Sequence, residues 1–417
     1  MPSSTHKEGM IDNARALERV LIVGVHTPDM DDLLFETLME EMAALTETAG
    51  GLVVGSIHQN LPHVDSKTLV GKGKLEEIGV LVDKDEVDTV IFLNDLKPIV
   101  NRNLEETLDV KVIDRVQLIL DIFALRARSS EGKLQVALAQ YEYLLPRIIG
   151  KGKSLSRLGA GIGTRGPGET KLESDRRHIR TNIHKIKEQL QDVEKHRDIT
   201  RQNRMASREY RLGLIGYTNA GKSTLLEQLS QQETYVKDQL FATLDPLTRT
   251  FDIEGQKLFT VTDTVGFIEN LPTQLIHAFK STLQEISYVD IILHVVDASH
   301  PARMIHEQTV TQLMKQLEMD HIPQLVVYNK IDQVPQIFEP TLFPNVCICA
   351  HDAQDIVTLK AAIKEACQNI SHAYDVYIPA ENANQVHTYQ QHTLIEQLEF
   401  DPEKNAYHIS GYEKDSY

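Results

Sequence analysis

Apolar positions along this chain follow two periods that change place several times. In the first third, short apolar runs at 19–25, 52–57, 87–93 and 110–114 read as strands. Helical stretches at about 31–48, at 74–82 and around Leu104 lie between them. Strands alternating with helices predict a small α/β unit of parallel type over 1–125. The period then lengthens. Leu134, Leu138, Tyr141, Leu145 and Ile148 recur at spacings of four and three, and so do Ile179, Ile183, Ile186, Leu190 and Val193. Each set makes one helical face, and two antiparallel helices packed along these stripes are predicted over 126–208. From 209 to 372 apolar strands return at 212–215, 258–262, 325–328 and 346–349, with helices after 223 and over 356–370. The expected fold there is a mostly parallel sheet with helices on both faces. Residues 373–417 read as a small α+β extension, with strands at 374–379 and 407–409 and a helix near 385–397.

Composition narrows the picture. A chain of 417 residues is long enough for two to four domains, and no apolar run reaches membrane-spanning length. The first residues lack the apolar core of a secretion signal. Cys347, Cys349 and Cys367 have no metal-ligand spacing and fit buried thiols in a reducing compartment. The seventeen His show no H-E-x-x-H pattern. A cytoplasmic protein is expected, transient association with the membrane surface included, and a monomer when free. The net charge of −17 argues against nucleic acid, and no DNA partner is expected. Between Arg126 and Arg211, however, basic residues outnumber acidic ones by about two to one. The connection at 150–168 is rich in glycine and carries Lys151, Lys153, Arg157 and Arg165. A basic tip on a helical stalk suits RNA phosphates; the alternative is a mobile solvated loop. Gly161-Ile162-Gly163-Thr164-Arg165-Gly166 matches G-x-G-x-x-G, but no strand precedes it, so a dinucleotide site is rejected.

The chemistry concentrates after residue 211. Gly216-Tyr217-Thr218-Asn219-Ala220-Gly221-Lys222-Ser223, followed by Thr224, is a G-x-x-x-x-G-K-[ST] loop between a short apolar strand and a helix former. Successive backbone N–H groups and a helix N-terminus make an anion site there. Lys222 is expected to reach the β and γ phosphates, and Ser223 to bind Mg²⁺. Phe241-Ala242-Thr243-Leu244-Asp245-Pro246 offers Thr243 as a switch ligand for Mg²⁺ while the γ-phosphate is present. Thr248 and Thr250 are weaker candidates, because they enter a strand. Asp263-Thr264-Val265-Gly266 ends an alternating strand. Its carboxylate can hold Mg²⁺ through water, and its Gly266 N–H can meet the γ-phosphate. In Asn329-Lys330-Ile331-Asp332, the Asp332 carboxylate can accept both N–H groups on one edge of guanine, where adenine has no matching donors. Cys349-Ala350-His351 closes the series, with the Ala350 N–H facing the guanine oxygen.

In this order the motifs are those of a P-loop GTPase. Phe241-Ala242-Thr243-Leu244-Asp245-Pro246, Asp263-Thr264-Val265-Gly266-Phe267 and the run from Gly161 through Gly168-Glu169-Thr170 further resemble the HflX family. The resemblance covers the N-terminal unit, the hairpin and the GTPase region. It implies a cytosolic GTP hydrolase with Mg²⁺ that binds the large ribosomal subunit and splits or rescues stalled ribosomes. It also implies that the hairpin loop points toward the peptidyl-transferase region. The last motif departs from the family's usual Ser-Ala, since Cys349 replaces the serine; a hydroxyl contact is lost while the backbone contact survives. A GTP-dependent switch for a protein partner, with RNA incidental, is the alternative reading.

Two expectations concern rate. Phe267 follows Gly266 where many GTPases carry a Gln that orients the attacking water, so slow intrinsic hydrolysis is expected. Asn219 can hold a K⁺ that neutralises developing charge, or it can simply cap its own turn. Lys222, Thr243, Gly266 and Asn219 are therefore the candidate catalytic groups.

Overall fold

The computed structural model describes residues 17–150, 167–205, 208–232, 240–241, 246–264, 266–269, 286–334 and 337–414, with the backbone alone at 149–150, 167–172 and 196–205.

The N-terminal pattern yields β1 (Glu18–His26), α1 (Asp32–Thr48), β2 (Gly51–Asn60), α2 (Lys72–Lys84), β3 (Thr89–Phe92), α3 (Pro98–Leu108), β4 (Lys111–Asp114) and α4 (Arg115–Arg126). The strands form a wholly parallel sheet in the order β2-β1-β3-β4. Sequence reading missed α4. Asp114 caps it by accepting from the Gln117 N–H, and Val116, Leu118, Ile119, Leu120, Ile122 and Phe123 are all buried. A helix apolar on nearly every side packs against more than one neighbour. This one lies on β3 and β4, α1 and the next helix.

That next helix, α5 (Ser130–Leu144), is shorter than the predicted stripe. The chain tightens into a 3₁₀ segment at Leu145–Gly150. Pro146 has no N–H to continue the helical ladder, which accounts for the early end. The long α6 (Pro167–Met205) carries the second stripe, where Ile186 is buried and Ile179, Ile183, Leu190 and Val193 are half-buried. The two helices pack together, and Lys187 pairs with Glu142 across them at 2.8 Å.

A second sheet is built from β5 (Tyr210–Gly216), β6 (Leu247–Ile253), β7 (Gln256–Asp263), β8 (Ile291–Asp297), β9 (Gln324–Asn329) and β10 (Asn345–Cys347), in the order β10-β9-β8-β5-β7-β6. All neighbours are parallel except the β6–β7 hairpin at one edge. With α7 (Lys222–Ser230), α8 (Arg303–Gln316) and α9 (Ala353–Asn369), this is the P-loop GTPase fold. A parallel sheet buried on both faces explains the near-continuous apolar runs of β5 and β8.

The chain closes with β11 (Ser371–Pro379), α10 (Ala383–His392), β12 (Leu394–Asp401) and β13 (Ala406–Lys414) as an antiparallel sheet, β11-β13-β12. The helix expected to about 397 stops at His392, where Thr393 adopts extended backbone. The Thr393 N–H makes the last ladder bond to Tyr389 O at 2.9 Å, and its hydroxyl meets the same carbonyl at 2.8 Å and the Tyr374 hydroxyl at 2.6 Å, which closes the helix there. Lys414 ties this sheet to the start of β5. Its ammonium, buried, donates to Glu209 O at 2.8 Å and to Asp290 Oδ2 at 2.7 Å, and the other Asp290 oxygen pairs with Arg211 at 2.9 Å.

One apolar cluster crosses from the first unit into the second. It includes Phe35, Met42, Ile119 and Phe123 on one side and Tyr217, Phe241, Phe267 and Ile268 on the other. Phe123 meets Phe241 edge-on at 4.6 Å between centroids.

Candidate GTP-binding site

The strand register gathers the motifs. β5 runs between β8 and β7, with Leu214 opposite Asp263 and Gly216 opposite Val295, while Asp297 of β8 lies opposite Asn329 of β9. The loop at 216–221, Asp263, and Asn329 with Lys330 therefore leave the sheet at the same, carboxyl-terminal, edge. Open α/β sheets bind ligands at such an edge where the chain order reverses, and here β5 sits at that reversal.

The phosphate loop is held in a conformation that side chains would obstruct. Gly221 has φ +96°, and a Cβ there would come within 2.2 Å of Asn329 Nδ2. At Gly216 a Cβ would stand 2.2 Å from Val295 O. Asn219 also takes a left-handed φ, +61°, which asparagine tolerates better than most residues. The N-terminus of α7 has no side-chain cap, so its backbone donors have only the loop in front of them.

Lys222, buried, donates to Gly216 O at 3.0 Å and Tyr217 O at 2.7 Å, folded back over the loop. Burial pushes its ammonium down to about 8, against the pull of the Asp263 charge. Ser223 Oγ donates to Asp263 Oδ2 at 2.7 Å. Hydroxyl and carboxylate oxygens meeting at a phosphate-binding turn are the hard donors that Mg²⁺ takes, so this pair fits the ion. Thr264 behaves differently: its hydroxyl, fully buried, donates to Leu214 O at 2.7 Å and locks β7 to β5. Gly266 lies close to the loop, since a Cβ on it would fall 2.9 Å from Thr218 Cγ2 and 3.0 Å from Lys222 Nζ. The Thr218 side chain is buried, with no hydrogen-bond partner for its hydroxyl among the described residues.

Asn329 joins two loops. Its Nδ2 donates to Ala220 O at 3.0 Å, and its Oδ1 accepts from Ala350 N at 3.0 Å. Lys330, in the left-handed region at φ +60°, pairs with Asp297 Oδ2 at 2.7 Å. Burial works against the Asp297 charge, but hydrogen bonds from Lys330 and Ser299 outweigh it and hold the carboxyl below its ordinary range. Ile331 packs on the cluster of Val296, Ala298 and Tyr328, leaving Asp332 exposed. Cys349 N donates to Asp355 Oδ2 at 2.7 Å, Ala350 is buried, and His351 is exposed.

Other expected positions fall elsewhere. Phe241 is buried against Phe123, so its ring faces the core. Thr248 and Thr250 lie in β6, with the Thr248 and Thr262 hydroxyls 2.9 Å apart. Ala242, Thr243, Leu244, Asp245 and Val265 lie outside the described residues, as do Lys151, Lys153, Arg157 and Arg165. Sequence reading missed Asp297, the partner of Lys330, and the groups around Tyr217 from distant parts of the chain.

Comparison with known proteins agrees with the geometry. Residues 36–124 match the family described as GTP-binding GTPase N-terminal, 126–204 the GTP-binding GTPase Middle Region, and 211–330 the 50S ribosome-binding GTPase. The GTPase HflX of Alkalihalophilus pseudofirmus is 46% identical over 399 residues, spanning 95% of this chain and 94% of that protein. This chain belongs to the HflX GTPase family. The GTPase HflX of Caldanaerobacter subterraneus is 48% identical over 323 residues, 78% of this chain and 74% of that protein. The Escherichia coli K12 protein of the same name is 42% identical over 338 residues, 80% and 77% of the two chains. As an HflX-family member the chain binds GTP and hydrolyses it. No helix among its described residues is long and apolar enough to cross a membrane.

Proposed function

We propose that this GTPase is Mg²⁺-dependent and acts on the large ribosomal subunit, splitting or rescuing stalled or stress-damaged ribosomes or serving subunit biogenesis. The observation that carries this reading is the match of residues 211–330 to a family described as a 50S ribosome-binding GTPase. The twofold basic excess between Arg126 and Arg211, inside an acidic chain, supports it. Its setting is the cytoplasm.

In this reading the loop from Gly216 to Thr224 wraps the phosphates, with Lys222 exchanging the Gly216 and Tyr217 carbonyls for β and γ oxygens. Ser223 and Asp263 would hold Mg²⁺, with Thr243 as the expected third ligand, and the ion would supply charge neutralisation for phosphoryl transfer. The Gly266 N–H meets the γ-phosphate. Asp332 recognises guanine, and Asn329, Lys330 and Ala350 fix the base pocket around it. Phe267 is buried, and its backbone pairs with the phosphate loop through Phe267 N to Gly216 O at 3.1 Å and Thr218 N to Phe267 O at 2.7 Å. Its side chain has no group to orient water, so intrinsic hydrolysis is slow and ribosomes accelerate it. Asn219 either caps its own turn or would hold a K⁺ that does the work of an arginine finger; an unchanged K⁺-over-Na⁺ rate preference in Asn219→Ala would refute the second role.

The deciding experiment is co-sedimentation of the full chain with purified large subunits, with and without a non-hydrolysable GTP analogue. Analogue-dependent pelleting that is lost on deletion of residues 159–168 is expected. Absence of pelleting under both conditions overturns the reading and favours a switch for a protein partner.

A further inference from the structure

Tyr217 is the second residue of the phosphate loop, and its side chain leaves the nucleotide site altogether. Its hydroxyl donates to Glu41 Oε2 at 2.5 Å, in the N-terminal unit 176 residues earlier in the chain. Glu41, on α1, takes a second bond through Oε1 from Arg115 at the start of α4, at 2.6 Å. Glu41 and Arg115 are both buried, as is the tyrosine. The phenol oxygen also accepts from Glu269 N at 2.8 Å, two residues past Phe267. The ring stacks on His306 of α8, 3.7 Å between centroids and 12° from parallel, and the Tyr217 carbonyl accepts from Lys222. Burial, then the charge and hydrogen bond of Glu41, keep the phenol proton in place well beyond its ordinary range.

A buried ion pair is a costly way to hold two helices together, and an apolar replacement often serves stability as well. Its distinctive property is direction: the carboxylate fixes where the phenol oxygen points, and that oxygen fixes the Glu269 amide. Phe267 is already pinned to Gly216 and Thr218 by its backbone. With Glu269 fixed too, the four-residue segment that begins at Gly266 is held at its second and fourth residues, and Gly266 lies beside Lys222.

We propose that Glu41 and Tyr217 are positioning residues for GTP hydrolysis. Acting through Glu269, they hold the Gly266 amide where a γ-phosphate sits, so that the N-terminal unit sets how well the site distinguishes GTP from GDP. The proposal rests on the reading of Gly266 as the γ-phosphate contact.

The test uses the full chain with Tyr217→Phe, which keeps the ring stacked on His306, with Glu41→Gln, and with Gly266→Ala. Dissociation constants for GDP and for an imido analogue of GTP are measured by titration, alongside kcat. In Tyr217→Phe and Glu41→Gln the analogue is expected to weaken relative to GDP by about ten-fold, the loss of one charge-assisted hydrogen bond. Affinity for GDP itself holds within about two-fold, and kcat falls with the analogue. A role in stability alone would lower the melting temperature and leave the GTP-to-GDP ratio at its wild-type value in both variants; that result overturns the proposal. If Glu41→Gln does not fold, Tyr217→Phe decides by the same criterion. A wild-type ratio in Gly266→Ala removes the underlying reading and the proposal with it. A changed ratio there with wild-type ratios in the other two removes the proposal alone.

Discussion

The chain builds the same strand–turn–helix unit twice and uses it for opposite ends. β1 and β5 each lie between two parallel neighbours, and each leads into a helix at the carboxyl edge of its sheet. After β1, Asp31 caps α1, its carboxylate accepting from Leu33 N at 3.0 Å and Leu34 N at 3.3 Å. After β5, the cap position is Gly221, with no side chain to accept anything. The first helix satisfies its own orphan donors and places a negative charge in front of them. The second leaves its donors and its dipole for an external anion. Topology provides the position; the residue at the cap decides whether an anion can bind there.

The largest expected effect removes that distinction by force. In Gly221→Ala the new Cβ must displace Asn329 Nδ2 and occupy a left-handed φ, so GTP affinity should fall by about a hundred-fold or more. Isothermal titration checks it, and near-wild-type affinity would mean that the loop is not the phosphate site. An intermediate effect comes from proton linkage at Lys222, whose ammonium titrates near 8 when it lies over the loop carbonyls. On the proposed assignment the charged form would bind the polyphosphate, and binding would raise the pKa. Affinity should therefore be flat below about 8 and weaken above it by up to about ten-fold per pH unit. A GDP titration series between about pH 7 and pH 9 measures this, and an improvement with rising pH would contradict the assignment. The smallest effect is on the other turn. Asp31→Ala should cost about 1 kcal/mol of stability through the lost cap, read by denaturant unfolding, with no change in GTP affinity. A matching loss of affinity would show that the first unit reaches the site through α1 more broadly than the Glu41 contact.

Much of this was legible in the sequence because local rules dictated it. The glycines at 216 and 221, the carboxylate ending β7 and the Asn-Lys-Ile-Asp turn after β9 each occupy positions where backbone geometry and chemistry demand those residues. Strand alternation also gave the parallel N-terminal sheet. Other features depend on partners far away in the chain. Nothing in Glu41 or Arg115 alone signals that they meet a phosphate-loop tyrosine, and α4 has no polar face to mark it because it is covered on several sides. Phe241 sits in a motif whose neighbours suggest nucleotide contact, yet its ring fills the seam against Phe123, a matter of packing that spacing cannot convey. The end of α5 was readable from Pro146, but the apolar stripe ran on through it.

The 39-residue helix α6 ends shortly before β5, and Arg208 and Glu209, just ahead of β5, are clasped by the last strand. Glu209 O takes the buried Lys414 ammonium, and Arg208 pairs with Glu413. A helix of that length is about 58 Å long. It packs along α5, with Lys187 on Glu142 between its two ends, so a tilt of about 5° at the end beside the C-terminal strand, enough to sweep the far end through about 5 Å, would have to carry α5 with it.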